Sequence, residues 1–225
     1  MNEQYNVTTS TYEKKYDSGY GLQYPDGHII RIHKHILEYE LHLNGGTILD
    51  FGCGTGTHLK YFLENGYIPY GCDISKTAIN FCKKRMSRYE KNFHVTPNLP
   101  KLKDYFTQKF DVILSNQVLY YLNDQDIKNL ISQFHEMLNI GGVFIATMML
   151  PSNTYFKQVV SKEDDLCKVV LNGRLHETSY INFKTNEETL NLFNKFSKLH
   201  LGFYGSTIRE DDGPTDHCIF IGRKE

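Results

Sequence analysis

Apolar positions recur along the chain with helical and strand periods in turn, which predicts repeated strand–helix units. Residues 47–51 form a short apolar run, and residues 59–65 follow with helical spacing. Residues 67–72 read as a second strand, in which Pro69 leads us to expect regular pairing only after it. Residues 75–89 read as a helix with Ala78, Ile79 and Cys82 inward and Lys83, Lys84, Arg85 and Arg88 outward. Further strands are predicted at 93–95, 110–115 and 143–150. The most regular helix is 124–139, where Ile127, Leu130, Ile131, Phe134 and Leu138 share a face and Asp124 and Asp126 suit the positive end. Gly141-Gly142 ends it. A helix over 28–43, carrying Ile29, Ile32, Ile36, Leu37 and Leu41, precedes these units and stops at Asn44-Gly45-Gly46. In the last third, 152–160 and 187–196 look helical, and 199–204 with 218–222 look like two closing strands, antiparallel at the sheet edge.

The first predicted strand runs into Asp50-Phe51-Gly52-Cys53-Gly54-Thr55-Gly56-Thr57-His58. Glycines at alternate positions allow unusual backbone angles and let a ligand lie against the main chain. A dinucleotide turn has G-x-G-x-x-G, but here Thr57 takes the position of its last glycine, and no Lys-Ser/Thr pair makes a P-loop. Asp50 would repel a pyrophosphate and suits the ammonium of an amino-acid moiety. An ordinary strand–helix turn is the alternative. With its acid followed by G-x-G-x-G, the stretch resembles the first motif of the class I S-adenosylmethionine (SAM)-dependent methyltransferases.

Asp73 ends the second strand 17 residues after Gly56, where doubly wound folds place an acid that accepts from the ribose of an adenosine. It also suits the N-terminus of the next helix. The resemblance extends over residues 47–150. It implies an α/β, Rossmann-like sheet of seven strands, mostly parallel, with helices on both faces and an antiparallel last strand. Beside Asp50, Gly52, Gly54, Gly56 and Asp73, the implied cofactor set holds Ile74, Asn98, Leu99, Ser115, Asn116 and Gln117. Asn98 stands where relatives often have an acid, and Tyr121 where many have histidine. The segment after the fourth strand, Asn116-Gln117-Val118-Leu119-Tyr120-Tyr121, is not Asp/Asn-Pro-Pro-Tyr/Phe. That counts against methylation of nucleic-acid amino groups or protein glutamine.

Residues 1–46 are expected to form a helical cap, and 47–225 a SAM-binding domain with an acceptor-site insertion around 151–197. Tyr12, Tyr16 and Tyr20, four apart, stack on one helical face; they either pack this segment down or, with Tyr24, cover the cofactor. Arg31 either meets the SAM carboxylate or lies on the surface. Catalytic candidates are Tyr121 and His176, the latter beside Glu177. His28, His33 and His217, next to Asp216, are further possible bases, each with an ordinary structural role as the alternative.

Composition narrows the partners. A formal net charge of −1 over 225 residues argues against a chain that neutralises many phosphates, and the Lys83–Arg88 cluster reads first as a solvated face. Five scattered cysteines form no C-x-x-C, and the acids and histidines show no ligand-like clustering, so neither a disulfide framework nor a metal is expected. No apolar run is long enough to span a bilayer, and the start lacks a basic region followed by an apolar one. A cytoplasmic protein, monomeric or homodimeric, is expected. The leading function is methyl transfer from SAM, leaving S-adenosylhomocysteine (SAH), to a hydroxyl or amine of a small polar acceptor. A polysaccharide or secondary-metabolite precursor is the acceptor suggested by analogy. A tRNA or rRNA methyltransferase and a non-catalytic SAM sensor are the alternatives.

Overall fold

The computed structural model describes residues 3–21, 23–171 and 177–225. The helices are α1 (Glu3–Asp17), α2 (Gly27–Arg31), α3 (Thr57–Glu64), α4 (Lys76–Arg85), α5 (Asp124–Met137) and α6 (Asn186–Leu192). The strands are β1 (Gly46–Phe51), β2 (Tyr67–Asp73), β3 (Phe93–Val95), β4 (Phe110–Ser115), β5 (Leu138–Met149), β6 (Val159–Glu163), β7 (Leu166–Leu171), β8 (Glu177–Ile181), β9 (Ser197–Tyr204) and β10 (His217–Arg223).

Seven strands make one sheet in the order β3-β2-β1-β4-β5-β10-β9. Pairing is parallel from β3 to β5, and β10 runs antiparallel to both β5 and β9. Alternation along the strands divides the core. Leu49, Phe51, Ile113 and Phe144 pack with Ile127, Leu130 and Phe134 of α5. Ile48, Val112, Leu114 and Ile145 pack with Ile29 of α2, Leu59 and Phe62 of α3 and Ile79 of α4. Helices therefore cover both faces, the α/β Rossmann-like arrangement expected from the sequence. Since β1 lies between β2 and β4, the connections leaving β1 and β4 diverge. That opens a crevice at their carboxyl ends, the usual ligand position in such sheets.

Four features of the sequence reading are corrected by the structure. Pairing of β2 with β1 includes Pro69, which lies opposite Ile48. The Pro69 carbonyl faces the other way and accepts from Asn92 Nδ2 (3.0 Å). The β3 pairing on that side begins only at Gly71, so the missing N–H costs no ladder bond. The helix expected over 28–43 leaves α-geometry at Ile32 and continues in wide π-type turns to Glu40, closed by Leu41 N–H on Ile36 O (2.9 Å). Helix α5 stops at Met137, and Gly141-Gly142 lie in an irregularity of β5, where pairing with β4 jumps from Leu138 to Val143. The helix expected over 152–160 is only a 3-10 turn, Thr154–Gln158, before β6. The two closing strands do pair antiparallel at the sheet edge as expected, β10 against β5 and β9 outermost.

Strands β6, β7 and β8 form a separate antiparallel sheet within the expected insertion. Among the described residues no helix is long and apolar enough to cross a membrane.

Candidate active site at the carboxyl ends of β1, β2 and β4

Behind β1 the chain turns through Gly52, Gly54 and Gly56, all with left-handed backbone (φ 78°, 52° and 75°). The turn is tight because three elements crowd it. A Cβ on Gly52 would lie 2.3 Å from Val118 Cγ2, and one on Gly56 2.6 Å from Cys82 Sγ of α4. The Asp73 carboxylate ties the turn to β2, accepting the Gly54 N–H on Oδ2 (2.9 Å) and the Ser75 N–H on Oδ1 (2.9 Å). Burial pushes its pKa up, opposed by the backbone N–H groups of Ser75, Gly54 and Ile74. Ser75 in turn caps α4 by accepting from Ala78 N–H (3.0 Å).

This turn is the floor of a cavity of about 170 Å³. Ile74 and the segment Thr96-Pro97-Asn98 form one wall; Asn116, Gln117, Val118 and Tyr121, leaving β4, form another. The roof is the tyrosine face of α1. Tyr12, Tyr16 and Tyr20 all line the cavity, with ring centroids 6.1 Å and 5.8 Å apart in succession. Tyr12 and Tyr121 meet hydroxyl to hydroxyl at 2.7 Å, and Asn98 Nδ2 donates to Thr9 Oγ1 of α1 (3.2 Å). Burial raises the phenol pKa values of Tyr12, Tyr16 and Tyr121, so these rings are neutral hydroxyl groups at ordinary pH.

Gln117 stands at φ 60°, a conformation uncommon for a residue with a side chain. Its N–H donates to Thr147 Oγ1 (2.7 Å) and its Nε2 to Tyr204 Oη (2.9 Å). Beside it, Asn116 Nδ2 donates to Asp26 Oδ2 (3.2 Å). Asn116 Oδ1 therefore accepts from His28 Nε2 (2.9 Å), whose ring stacks on Tyr204 at 3.8 Å. Tyr204 stacks on His217 at 4.8 Å.

The sequence candidates separate on this frame. Gly52, Gly54, Asp73, Ile74, Asn98, Asn116, Gln117, Tyr12, Tyr16, Tyr20 and Tyr121 line the cavity. The remaining candidates that the structure describes do not. Asp50 is fully buried beneath the turn on the α3–α4 side, with Oδ2 unpartnered among the described residues. Burial lifts its pKa to about 7, against the pull of His58 and with a contribution from Asp73. Gly56 packs on α4, and Ser115 Oγ donates to Phe51 O (3.4 Å), joining β4 to β1. Leu99 lines a neighbouring hollow between α1 and the segment after β3. Tyr24 and Arg31 are exposed, because the chain before α2 and the end of α2 face solvent.

His33 is buried against Tyr61, whose Oη lies 2.8 Å from Nδ1. The His217 Nδ1–H donates to Thr215 O (2.8 Å), Nε2 has no partner among the described residues, and burial lowers the pKa to about 4. His176 lies outside the described residues. An acid–imidazole pair on the cavity wall was missed by sequence reasoning. Asp26 Oδ2 and His58 Nε2 approach to 3.3 Å at the cavity wall, and Asp26 is held below the usual carboxylate range chiefly by His58. His58 directly follows the glycine turn, the one available signal; Asp26 carried none.

The donor set fits an adenosine ligand without phosphate. Each Asp73 oxygen already holds one backbone N–H and keeps lone-pair capacity for a hydroxyl donor. Among the described lining residues there is no lysine or arginine to meet a phosphate.

A family model described as a methyltransferase domain matches residues 49–144. A Haemophilus influenzae protein of uncharacterised function is 31% identical over 122 residues, covering 52% of this chain and 47% of that protein. The chain thus spans about half of that relative's length. An uncharacterised methyltransferase of Bacillus cytotoxicus is 27% identical over 164 residues, covering 71% of this chain and 74% of that protein. Among solved structures, the 1,6-didemethyltoxoflavin-N1-methyltransferase of Burkholderia thailandensis, with SAH bound, superposes with a TM-score of 0.68. It covers 100% of this chain and 91% of its own at 17% identity, a likeness of fold.

Proposed function

We propose that this chain, a class I SAM-dependent methyltransferase with its methyltransferase domain at residues 49–144, methylates a hydroxyl or amine of a small polar acceptor. The observation that carries this reading is the buried Asp73 carboxylate, fixed by two backbone N–H groups on the floor of a cavity whose described lining residues include neither lysine nor arginine.

When bound, SAM supplies a methyl group on a positively charged sulfur, an electrophile that needs no activation by the protein. Asp73 accepts from the ribose hydroxyls, while Ile74 and the Thr96-Pro97-Asn98 wall take the adenine. Asn116 and Gln117, held by Asp26, Thr147 and Tyr204, line the remaining side for the amino-acid tail. The tyrosine face of α1 serves as a cap that excludes water and orients the acceptor. Such positioning is worth up to roughly 7–11 kcal/mol of a bimolecular barrier. A hydroxyl acceptor also needs a base, for which the lining pair Asp26–His58 is suited; His217 is sequestered in its stack. A polysaccharide or secondary-metabolite precursor is the acceptor class we favour, acted on in the cytoplasm.

The test is calorimetric titration with SAM and SAH, followed by a labelled-methyl assay on fractionated cell extract. Micromolar binding and label in the small-molecule fraction are expected. Failure to bind SAH, or retention of a nicotinamide or flavin instead, would overturn the cofactor assignment. Label in RNA would overturn the acceptor class.

A further inference from the structure

Beside the cavity, against two of its tyrosines, a primary ammonium sits between aromatic rings and a buried carboxylate. Glu177, the first residue of β8, is only 8% exposed. Its Oε2 lies 2.7 Å from Lys15 Nζ, and its Oε1 accepts from Ser179 Oγ (2.8 Å). Lys15 Nζ stands 4.8 Å from the Tyr12 ring centroid and 5.6 Å from that of Tyr20, both within cation–π range. Tyr12 and Tyr20 also line the cofactor cavity, so cage and cavity share two walls. Tyr155 feels the same charge: its phenol is pushed up to about 12, by burial first and then by Glu177.

A carboxylate this buried is costly unless a cation meets it. Lys15 supplies that cation from α1, the helix whose tyrosines roof the cavity. Lys15 is 27% exposed and carries four flexible methylenes, so it can leave along its own stem into water while Glu177 stays fixed in β8. The site is therefore complete for a small ammonium: one buried acid, two ring faces and an exit for the resident cation.

We propose that the acceptor is a cationic amine-bearing small molecule, recognised at Glu177 between Tyr12 and Tyr20 in place of Lys15. This rests on the methyltransferase reading above and narrows its acceptor class. Glu177 and Lys15 are then specificity residues, the first by attraction and the second by competition.

The test uses the full chain with methyl-labelled SAM and a bacterial small-molecule extract divided on a cation-exchange resin into retained and unretained fractions. Label is expected in the retained fraction. Label confined to the unretained fraction, or in neither, overturns the proposal, while SAH titration reports separately whether the cofactor reading stands. At limiting extract, Glu177→Gln is expected to cut labelling at least tenfold with SAH affinity within twofold of wild type, and Glu177→Asp to restore part of it. Unchanged labelling by Glu177→Gln sinks the idea. Lys15→Met discriminates further: a competitor's removal maintains or raises labelling at limiting extract. If the ion pair only latches α1 to the body, labelling falls and the proposal fails.

Discussion

Asp73 and Gly54, 19 residues apart in the chain, are joined by a 2.9 Å hydrogen bond from the glycine N–H to the carboxylate. One side chain thus shapes the turn after β1 and faces the ligand cavity at the same time. If Asp73 holds the ribose as proposed, cofactor affinity and local order are coupled through it.

Asp73→Ala removes the proposed ribose acceptor and frees the turn. Loss of charge-assisted hydrogen bonds of this kind costs about 1–3 kcal/mol, or roughly 5- to 150-fold in affinity. Titration with SAH measures it, and wild-type affinity in the variant refutes the ribose assignment.

Gly56→Ala is expected to destabilise the fold rather than block the cavity, which Gly56 does not line. A left-handed backbone costs a residue with a side chain about 1–2 kcal/mol. The new Cβ would also lie 2.6 Å from Cys82 Sγ and 2.8 Å from Met86 Cε. In a thermal melt this corresponds to a fall of roughly 2–8 °C. An unchanged midpoint contradicts the packing described.

Tyr12→Phe deletes the hydroxyl that meets Tyr121 at 2.7 Å while keeping the ring. One lost hydrogen bond between roof and wall is worth about 1 kcal/mol. SAH is expected to dissociate several times faster in stopped-flow displacement, with the melting midpoint lowered by no more than about 2–4 °C. Identical dissociation rates count against α1 as the cap.

Asp50 sets a pH dependence of stability. Burial raises its pKa to about 7 in the folded state, so the native protein holds this proton more tightly than the unfolded chain does. Stability from this group is fully present below the unfolded carboxylate value near 4, and is lost as pH rises to about 7. The full penalty is on the order of 4 kcal/mol. His217, lowered to about 4, acts oppositely, costing stability as pH falls from about 6.5 to 4. The wild-type curve is therefore flattened over that range. Subtracting it from the curve of Asp50→Asn isolates the carboxyl: near parity at pH 4 and a more stable variant at pH 8. A difference that does not grow with pH removes the raised pKa.

Most of the parallel sheet was legible because its signals are local. Short apolar runs marked β1, β3 and β4 to within a residue, and the period of Ile127, Leu130, Ile131 and Phe134 marked α5. The cavity floor was legible for the same reason, since Asp50-x-Gly-x-Gly-x-Gly and Asp73 lie on adjacent strands. Within that motif, however, spacing did not tell which residues line the cavity: Gly52, Gly54 and Asp73 do, whereas Asp50 and Gly56 pack away from it. Strand β6 was misread because four of its five residues are exposed and polar or unpatterned, leaving no periodicity to detect.

The amino-acid sequence alone determined the alternation of strands and helices, the glycine turn and the acid one strand later, because these depend on backbone propensity and near-neighbour periodicity. Only the tertiary structure decided that β10 inserts between β5 and β9, that Asp26 meets His58, and that Lys15 of α1 reaches Glu177 of β8. Each of those pairings joins positions far apart in the chain, where the partner is chosen by burial and by the charge or hydrogen bond left to satisfy. No local pattern carries that information.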